Sequence, residues 1–186
     1  GFDLPGVTFE IFVHLGTLLA VLMVYSRDVL DLVGGFFSNG GRVLAGRMSP
    51  RVFWGNAQAR VASLILVGSI PAGLVGVLLS DYIEQLFGSL TYVGLFWLVT
   101  SLLLWVLGRL PEGGSPRATL GVGGALLIGV FQSAAIAPGI SRSGATIVGG
   151  VLAGLNREEA ANFSFLLSLP AIAGAAALDV VGLEST

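Results

Sequence analysis

The chain has 186 residues, of which 54% are hydrophobic and only 11% are charged. A typical soluble domain carries about 25% charged residues, so this composition excludes a water-soluble enzyme and indicates a single membrane domain over residues 1–186. The basic residues number nine, all Arg, against eleven acidic residues, and this balance leaves no basic surface for nucleic acid. The absence of Cys and the single His exclude thiolate and His-rich metal sites.

Four apolar segments predict membrane-spanning helices, because a hydrocarbon core of about 30 Å needs roughly 20 apolar helical residues. In chain order, the predicted spans are 9–25, 61–79, 90–108 and 163–181. Pro71 and Pro170 lie inside two of these spans, where neighbouring groups in a membrane protein can satisfy the freed carbonyls. The sequence therefore predicts an all-α integral membrane protein, a polytopic helical bundle.

Residues 120–155 differ from these spans, because two short apolar arms flank a polar turn. The turn reads Pro138-Gly139-Ile140-Ser141-Arg142-Ser143-Gly144-Ala145-Thr146. The second arm, 147–155, is too short to cross a membrane alone. We interpret the segment as a re-entrant helical hairpin, whose turn is tolerated at membrane depth only where it lines a cavity.

A faint internal repeat accompanies this hairpin. The segments that begin at Phe9 and Phe163 both open with Phe, continue as an apolar run and reach a helix-weakening residue, Gly16 or Pro170. Repeats of opposed orientation are common in membrane proteins with sites near the midplane. The pattern therefore favours an inverted-repeat architecture.

The arginines predict which connections share one side of the membrane. Five Arg residues lie between the first two spans, none lies in 80–89, and Arg109 and Arg117 follow the third span. Because cytoplasmic connections carry an excess of Arg and Lys, we expect the first and third connections inside and 80–89 outside. A hairpin over 120–155 returns Arg157 to the inner side, as the same rule favours.

The polar turn carries the chemistry of an anion site. Arg142 presents a planar fork of donors, and Ser141 can cap a following helix whose N-terminus attracts negative charge. The candidate phosphate-binding residues are Ser141, Arg142, Ser143, Gly144 and Thr146. An Arg at bilayer depth costs at least ~2.5 kcal/mol on insertion scales, which indicates a functional reason for it. The alternative is an ordinary surface turn between helices.

The same residues carry a resemblance to a known family. Phe131-Gln132, the turn 138–146, the stretch 163–170 and the span 9–24 occur in the order found in undecaprenyl-diphosphate phosphatases of the bacitracin-resistance type. The chain resembles this family over nearly its whole length. The nine-residue turn is the specific part of the match, whereas the apolar spans are not.

The resemblance implies a multi-pass hydrolase of the bacterial plasma (inner) membrane. Its substrate would be a polyprenyl diphosphate lipid, undecaprenyl diphosphate, converted to the monophosphate carrier used in peptidoglycan synthesis, with bacitracin resistance as a consequence. The family fold is similar to two inverted repeats, each a re-entrant hairpin followed by three spans. Arg142 would then be the catalytic residue that grips the diphosphate. Ser141 is a second catalytic candidate, although no base stands beside it in the sequence.

One part of the family pattern is absent from this sequence. The family's first motif, with paired Glu residues and a Ser-Ser-x-Gly-His element, is expected upstream of Gly1, and two further spans are expected after Thr186. We therefore interpret the chain as the central part of the enzyme. The resemblance also implies a divalent cation, Mg or Ca, whose ligands are expected upstream of Gly1 and not in this chain.

Three further polar residues are candidates for support around the site. Glu10 and His14 are four residues apart and share one helix face, where they flank the pocket or form a helix-end pair facing polar neighbours. Gln132 forms either a hydrogen bond within the hairpin or a polar contact between helices.

Two other functions remain open at the level of sequence. A transporter or flippase for an anionic lipid or solute would use re-entrant hairpins and inverted repeats equally well. A phosphatase of the phosphatidic-acid type needs two His residues, and the chain has only His14. The sequence predicts nothing about the oligomeric state.

Overall fold

The structure is a computed structural model that describes residues 16–110 and 112–184. Every regular element in these two ranges is helical, which confirms the predicted all-α fold class. The elements are α1 (16–24), α2 (Ser26–Leu44), α3 (Pro50–Gly55), α4 (Ala57–Leu78), α5 (Ser80–Phe87), α6 (Leu90–Arg109), a 3₁₀ turn (Arg117–Thr119), α7 (Val122–Ala134), α8 (Arg142–Leu152) and α9 (Arg157–Glu184).

Three of these helices are long and apolar enough to cross a membrane: α4, α6 and the part Arg157–Ala176 of α9. They contain most of the predicted spans 61–79, 90–108 and 163–181. Of the predicted span 9–25, residues 16–24 are helical and residues 9–15 lie outside the described residues. The helices are those of a multi-pass membrane protein.

No helix was predicted for the connections 26–60 and 80–89, yet they contain α2, α3 and α5. The physical reason is visible in α2, where apolar residues recur at helical spacing. Leu32 is buried in the core, and Val29 packs against the same core. The Gly and Asn residues of this segment conceal that periodicity in the sequence.

Side-chain caps begin several of these helices. The Asn56 carboxamide oxygen accepts a hydrogen bond from the Ala59 N–H at 2.9 Å and so begins α4. The Asn156 carboxamide oxygen accepts from the Glu159 N–H at 2.8 Å at the start of α9. These contacts satisfy N–H groups that have no partner inside a helix.

The core lies where α4, α7 and α9 meet. Leu64, Ile128, Phe163 and Leu167 are fully buried there. At the crossing of α4 and α7, a Cβ on Gly129 would lie 2.2 Å from the Gly68 carbonyl oxygen, so this close approach requires glycine. By contrast, α6 lies at the periphery and buries no residue, which leaves its apolar side chains free to face lipid.

Ion pairs gather the Arg-bearing connections at one end of the bundle, which we call the arginine end. Arg117, in the 3₁₀ turn, pairs with Asp28 of α2, and its Nε lies 3.5 Å from Glu159 Oε2 of α9. Arg60 Nη2 donates to the Leu120 carbonyl at 2.8 Å. The Arg distribution predicted this grouping on one side. That this side is cytoplasmic stays a prediction.

A further arginine, Arg157, joins the first residue of α9 to the end of α6. Its Nη2 donates to the carbonyl oxygens of Leu107 and Leu110, each at 2.9 Å. Carbonyls at a helix C-terminus lack helical N–H partners, and this guanidinium donates to one in the last turn of α6 and to one directly after it. The C-terminal end of α6 therefore belongs to the arginine end.

Candidate functional site

The segment predicted as a hairpin leaves the arginine end and returns to it. The Ser115 N–H donates to the Gly154 carbonyl at 2.9 Å, and the Asn156 N–H donates to the Ser115 carbonyl at 3.2 Å. Between these paired ends stand α7 and α8, with 13 and 11 residues. At about 1.5 Å per residue they are roughly 20 and 17 Å long, so neither crosses a hydrocarbon core of about 30 Å.

The tip of the hairpin, residues 135–141, lies beside the middle of α6. The Thr100 hydroxyl donates to the Gly139 carbonyl at 2.7 Å and accepts from the Ser141 N–H at 2.9 Å. Thr100 stands halfway along Leu90–Arg109, about 15 Å from either end of that helix. If α6 spans the membrane, the tip therefore lies near mid-depth.

Glycine allows this tight contact between the tip and α6. Gly139 has a φ of +96°, which disfavours residues with a side chain. A Cβ at this position would lie 2.7 Å from the Val93 carbonyl oxygen and 2.9 Å from Trp97 Cδ1. The backbone of the tip therefore rests directly on the surface of α6.

The tip ends where α8 begins, and that helix start offers free donors. Ser141 is the N-cap, as predicted, and its Oγ accepts from the Gly144 N–H at 3.1 Å. The N–H groups of Arg142 and Ser143 have no acceptor among the described residues. These two groups and the positive end of the helix dipole form an environment that favours an anion.

Arg142 is the only charged residue between positions 130 and 150 of the sequence. Its side chain is half-buried, and its guanidinium makes no hydrogen bond or ion pair within the described part of the chain. Ser143 is exposed beside it, with its Oγ 3.5 Å from the Ser141 Oγ. The structure thus brings together an unpaired guanidinium, two hydroxyls and two free N–H groups.

Thr146, also predicted to bind phosphate, has a different setting. Its side chain is 1% exposed, and its hydroxyl donates to the Arg142 carbonyl at 2.8 Å and contacts Ser164 Oγ on α9. This hydroxyl already has partners on both sides. We therefore propose that Thr146 supports α8 against α9 and does not contact phosphate itself.

Gln132 lies near the end of α7, on the buried side of the hairpin. Its side chain is 1% exposed, and neither Oε1 nor Nε2 has a hydrogen-bond partner among the described residues. Leaving a buried amide without partners costs about 1–3 kcal/mol per group, so its presence calls for a partner. Its role beside the site stays a prediction. Glu10 and His14 lie outside the described residues.

Two residues of this arrangement were not predicted from the sequence. Thr100 binds the tip from α6, and Ser164 meets Thr146 from α9. The signal for Thr100 was a lone polar pair, Thr100-Ser101, inside an otherwise apolar span. A hydroxyl on a predicted membrane helix has no solvent to bind, so it usually finds a backbone or side-chain partner.

The donors at the tip do not fit a divalent cation. They are hydroxyls, N–H groups and a guanidinium, whereas Mg and Ca take carboxylate and carbonyl oxygens. Nowhere in 16–110 or 112–184 do three His, Asp or Glu side chains come together. The cation implied by the resemblance therefore stays a prediction.

A separate cavity of about 480 Å³ opens between α1, α2, α4 and α9. Its lining is apolar and includes Leu22, Phe36, Ile65, Leu166 and Pro170. None of the residues of the tip lines it. It has the chemistry of a site for hydrocarbon and not for an anion.

The fold and this site define the class of the protein: a multi-pass helical membrane protein with a cationic hairpin tip between long apolar helices. The particular family follows from comparison with known proteins. The family model for the bacitracin resistance protein BacA matches residues 2–186. The chain belongs to this family, which confirms the resemblance found in the sequence.

The relatives found in the comparison carry the name undecaprenyl-diphosphatase. The protein from Desulforapulum autotrophicum is 43% identical over 97% of this chain and 65% of its own length. The protein from Desulfosudis oleivorans is 42% identical over 100% of this chain and 67% of its own length. The protein from Methanosphaera stadtmanae is 39% identical over 94% of this chain and 64% of its own length. The chain thus spans about two thirds of the length of these relatives.

Proposed function

We propose that this chain forms the diphosphate-binding part of an enzyme that hydrolyses undecaprenyl diphosphate to undecaprenyl phosphate and inorganic phosphate. The observation that carries the proposal is the unpaired, half-buried guanidinium of Arg142 beside the free N–H groups that begin α8. The names of the relatives favour hydrolysis over transport. The reaction returns the lipid carrier for peptidoglycan synthesis and would account for bacitracin resistance.

In this proposal Arg142 grips the diphosphate. A guanidinium makes two parallel hydrogen bonds to phosphate oxygens and remains charged at any physiological pH. During hydrolysis negative charge shifts on the transferred phosphoryl group and its leaving oxygen, and fixed donors near these atoms lower the barrier. The N–H groups of Arg142 and Ser143 and the Ser143 hydroxyl are further donors at the start of α8.

Ser141 has a supporting task in the same proposal. Its Oγ caps α8 by accepting from the Gly144 N–H, and it makes no hydrogen bond to any described carboxylate or imidazole. A serine nucleophile needs a base within hydrogen-bond reach. We therefore propose that Ser141 and Gly144 hold the helix start in place.

The protein would work in the bacterial plasma membrane. With the arginine end in the cytoplasm, the tip would lie near mid-depth and open towards the outer side. The substrate's prenyl chain would remain among the apolar helices while its diphosphate reaches the tip. An Arg at this depth is costly unless it has a ligand or water, and the substrate's diphosphate would supply that ligand.

The test uses the chain joined to the flanking sequence that brings it to the length of its relatives, which we call the extended protein. Phosphate release from undecaprenyl diphosphate is measured in detergent for the wild type, Arg142→Ala and the control Arg51→Ala. Arg51 is exposed on α3 and has no ion pair among the described residues. Arg142→Ala should lower kcat/KM by about 100- to 1,000-fold, the effect of losing a donor to transition-state charge, and Arg51→Ala should leave it unchanged. Near-normal turnover by Arg142→Ala would remove the central residue of the proposal.

A further inference from the structure

One side chain on α6 bridges two backbone groups of the hairpin tip. The Thr100 hydroxyl donates its proton to the Gly139 carbonyl at 2.7 Å and accepts the Ser141 N–H at 2.9 Å. The two backbone groups lie on either side of Ile140, directly before Arg142. A single hydroxyl therefore closes a small ring of hydrogen bonds around the last residues of the tip.

This bridge has no substitute among the described residues. Thr100 makes the only side-chain hydrogen bonds between α6 and the tip in the described ranges. Its neighbour Ser101 donates instead to the Trp97 carbonyl of its own helix at 3.0 Å. At Gly139 the backbone of the tip also lies so close to α6 that a Cβ would be 2.7 Å from the Val93 carbonyl oxygen. Such close packing limits how near the tip can come to α6, whereas the two hydrogen bonds of Thr100 have a preferred direction.

We infer that Thr100 is a positioning residue that fixes the direction of the Arg142 side chain. Ser141 is the N-cap of α8, so the orientation of its peptide sets where α8 starts and where the first helical residue, Arg142, projects. Thr100 holds that peptide from the N–H side and holds Gly139 from the carbonyl side. Only a group that both donates and accepts hydrogen bonds can make this bridge. Ser has such a hydroxyl group, and Val has none.

This inference rests on the proposed function, since the consequence of misplacing Arg142 is a loss of catalysis. A displacement of about 1 Å in a catalytic group can lower the rate about 100-fold. Val has nearly the size of Thr, so Thr100→Val removes the bridge while it preserves the packing volume. The freed N–H and carbonyl would then take other partners and turn the start of α8.

The experiment is a double-mutant cycle in the extended protein, with phosphate release from undecaprenyl diphosphate as the assay. Thr100→Val is made in the wild type and in Arg142→Lys, with Thr100→Ser for rescue and Ser101→Ala as the matched control. We expect Thr100→Val to lower kcat/KM at least about tenfold in the wild type and less than about twofold in Arg142→Lys. Thr100→Ser and Ser101→Ala should stay near the wild-type value. Size-exclusion profiles and thermal unfolding identify the fraction of folded protein, to which all rates are normalised.

Each outcome has one meaning. A merely structural role would lower kcat/KM equally in both backgrounds, because the loss would not act through Arg142, and that result would overturn the inference. Unchanged activity in Thr100→Val would also overturn the inference. If Arg142→Ala loses activity in that case, the proposed function still stands and only the role of Thr100 is refuted. If the wild type releases no phosphate, or if Arg142→Ala matches it, the proposed function fails and the inference fails with it.

Discussion

Gly139→Ala tests whether the hairpin tip is held against α6 as the structure shows. The residue has a φ of +96°, and a left-handed conformation costs a residue with a side chain about 1–2 kcal/mol. The new Cβ would also lie 2.7 Å from the Val93 carbonyl oxygen and 2.9 Å from Trp97 Cδ1. Overpacking of this kind costs about 1–3 kcal/mol, so we expect a total loss of about 2–5 kcal/mol in the free energy of unfolding.

A second glycine separates these two costs. Gly154 has a φ of +94°, yet a Cβ there would meet nothing within 4 Å. Gly154→Ala should therefore lose only the conformational part, about 1–2 kcal/mol. The free energy of unfolding of both variants is measured by denaturation of the extended protein in mixed micelles. Equal losses in the two variants would refute the contact between the tip and α6.

Two further predictions concern the packing that holds the hairpin in place. Arg157→Met removes the donor to the last carbonyls of α6 and should lower the free energy of unfolding by about 1–3 kcal/mol, whereas Glu112→Gln, at an exposed ion pair, should cause no resolvable change. A loss in Glu112→Gln as large as that in Arg157→Met would show that the ion pair matters and not the helix end. Gly129→Ala would bring a Cβ to 2.2 Å from the Gly68 carbonyl oxygen and should lose at least about 1–3 kcal/mol, while Gly123→Ala, with nothing within 4 Å, should gain up to about 1 kcal/mol. Wild-type stability in Gly129→Ala, measured in the same micelles, would contradict the close crossing of α4 and α7.

The long helices and the hairpin could be predicted from the sequence because each leaves a local pattern. Continuous apolar runs indicate α4, α6 and α9, and the short polar interruption at 138–146 indicates the tip. The Arg distribution predicted that the connections after the third span and before the fourth lie at one end of the bundle, and Arg117 and Glu159 of these two connections are in contact. Each of these patterns lies within a short stretch of the sequence or in its Arg spacing, so it can be recognised without the structure.

The contacts that complete the site could not be predicted, because they join distant parts of the chain. Thr100 and Gly139 are 39 residues apart, and Thr146 and Ser164 are 18 apart. A hydroxyl in the sequence does not reveal whether it faces a ligand, a backbone group or another helix. For this reason Thr146 was a phosphate candidate in the sequence, although its hydroxyl is buried between α8 and α9.

The α2 segment shows a different limit. Its Gly-Gly and Asn-Gly-Gly sequences are typical of loops, yet 26–44 is one helix. Leu32 and its apolar neighbours pack on α4 and outweigh the low helix propensity of these residues. Tertiary packing, and not local preference, decides this element.

The central claim is that the Arg142 guanidinium at the hairpin tip holds the diphosphate by two parallel hydrogen bonds. The most direct measurement is kcat/KM for phosphate release by Arg142→Lys in the extended protein, which keeps the charge and removes the planar fork. We expect a decrease of at least about tenfold, because an ammonium group cannot make the paired contact. Wild-type kcat/KM in Arg142→Lys would contradict this claim and show that a positive charge alone is sufficient.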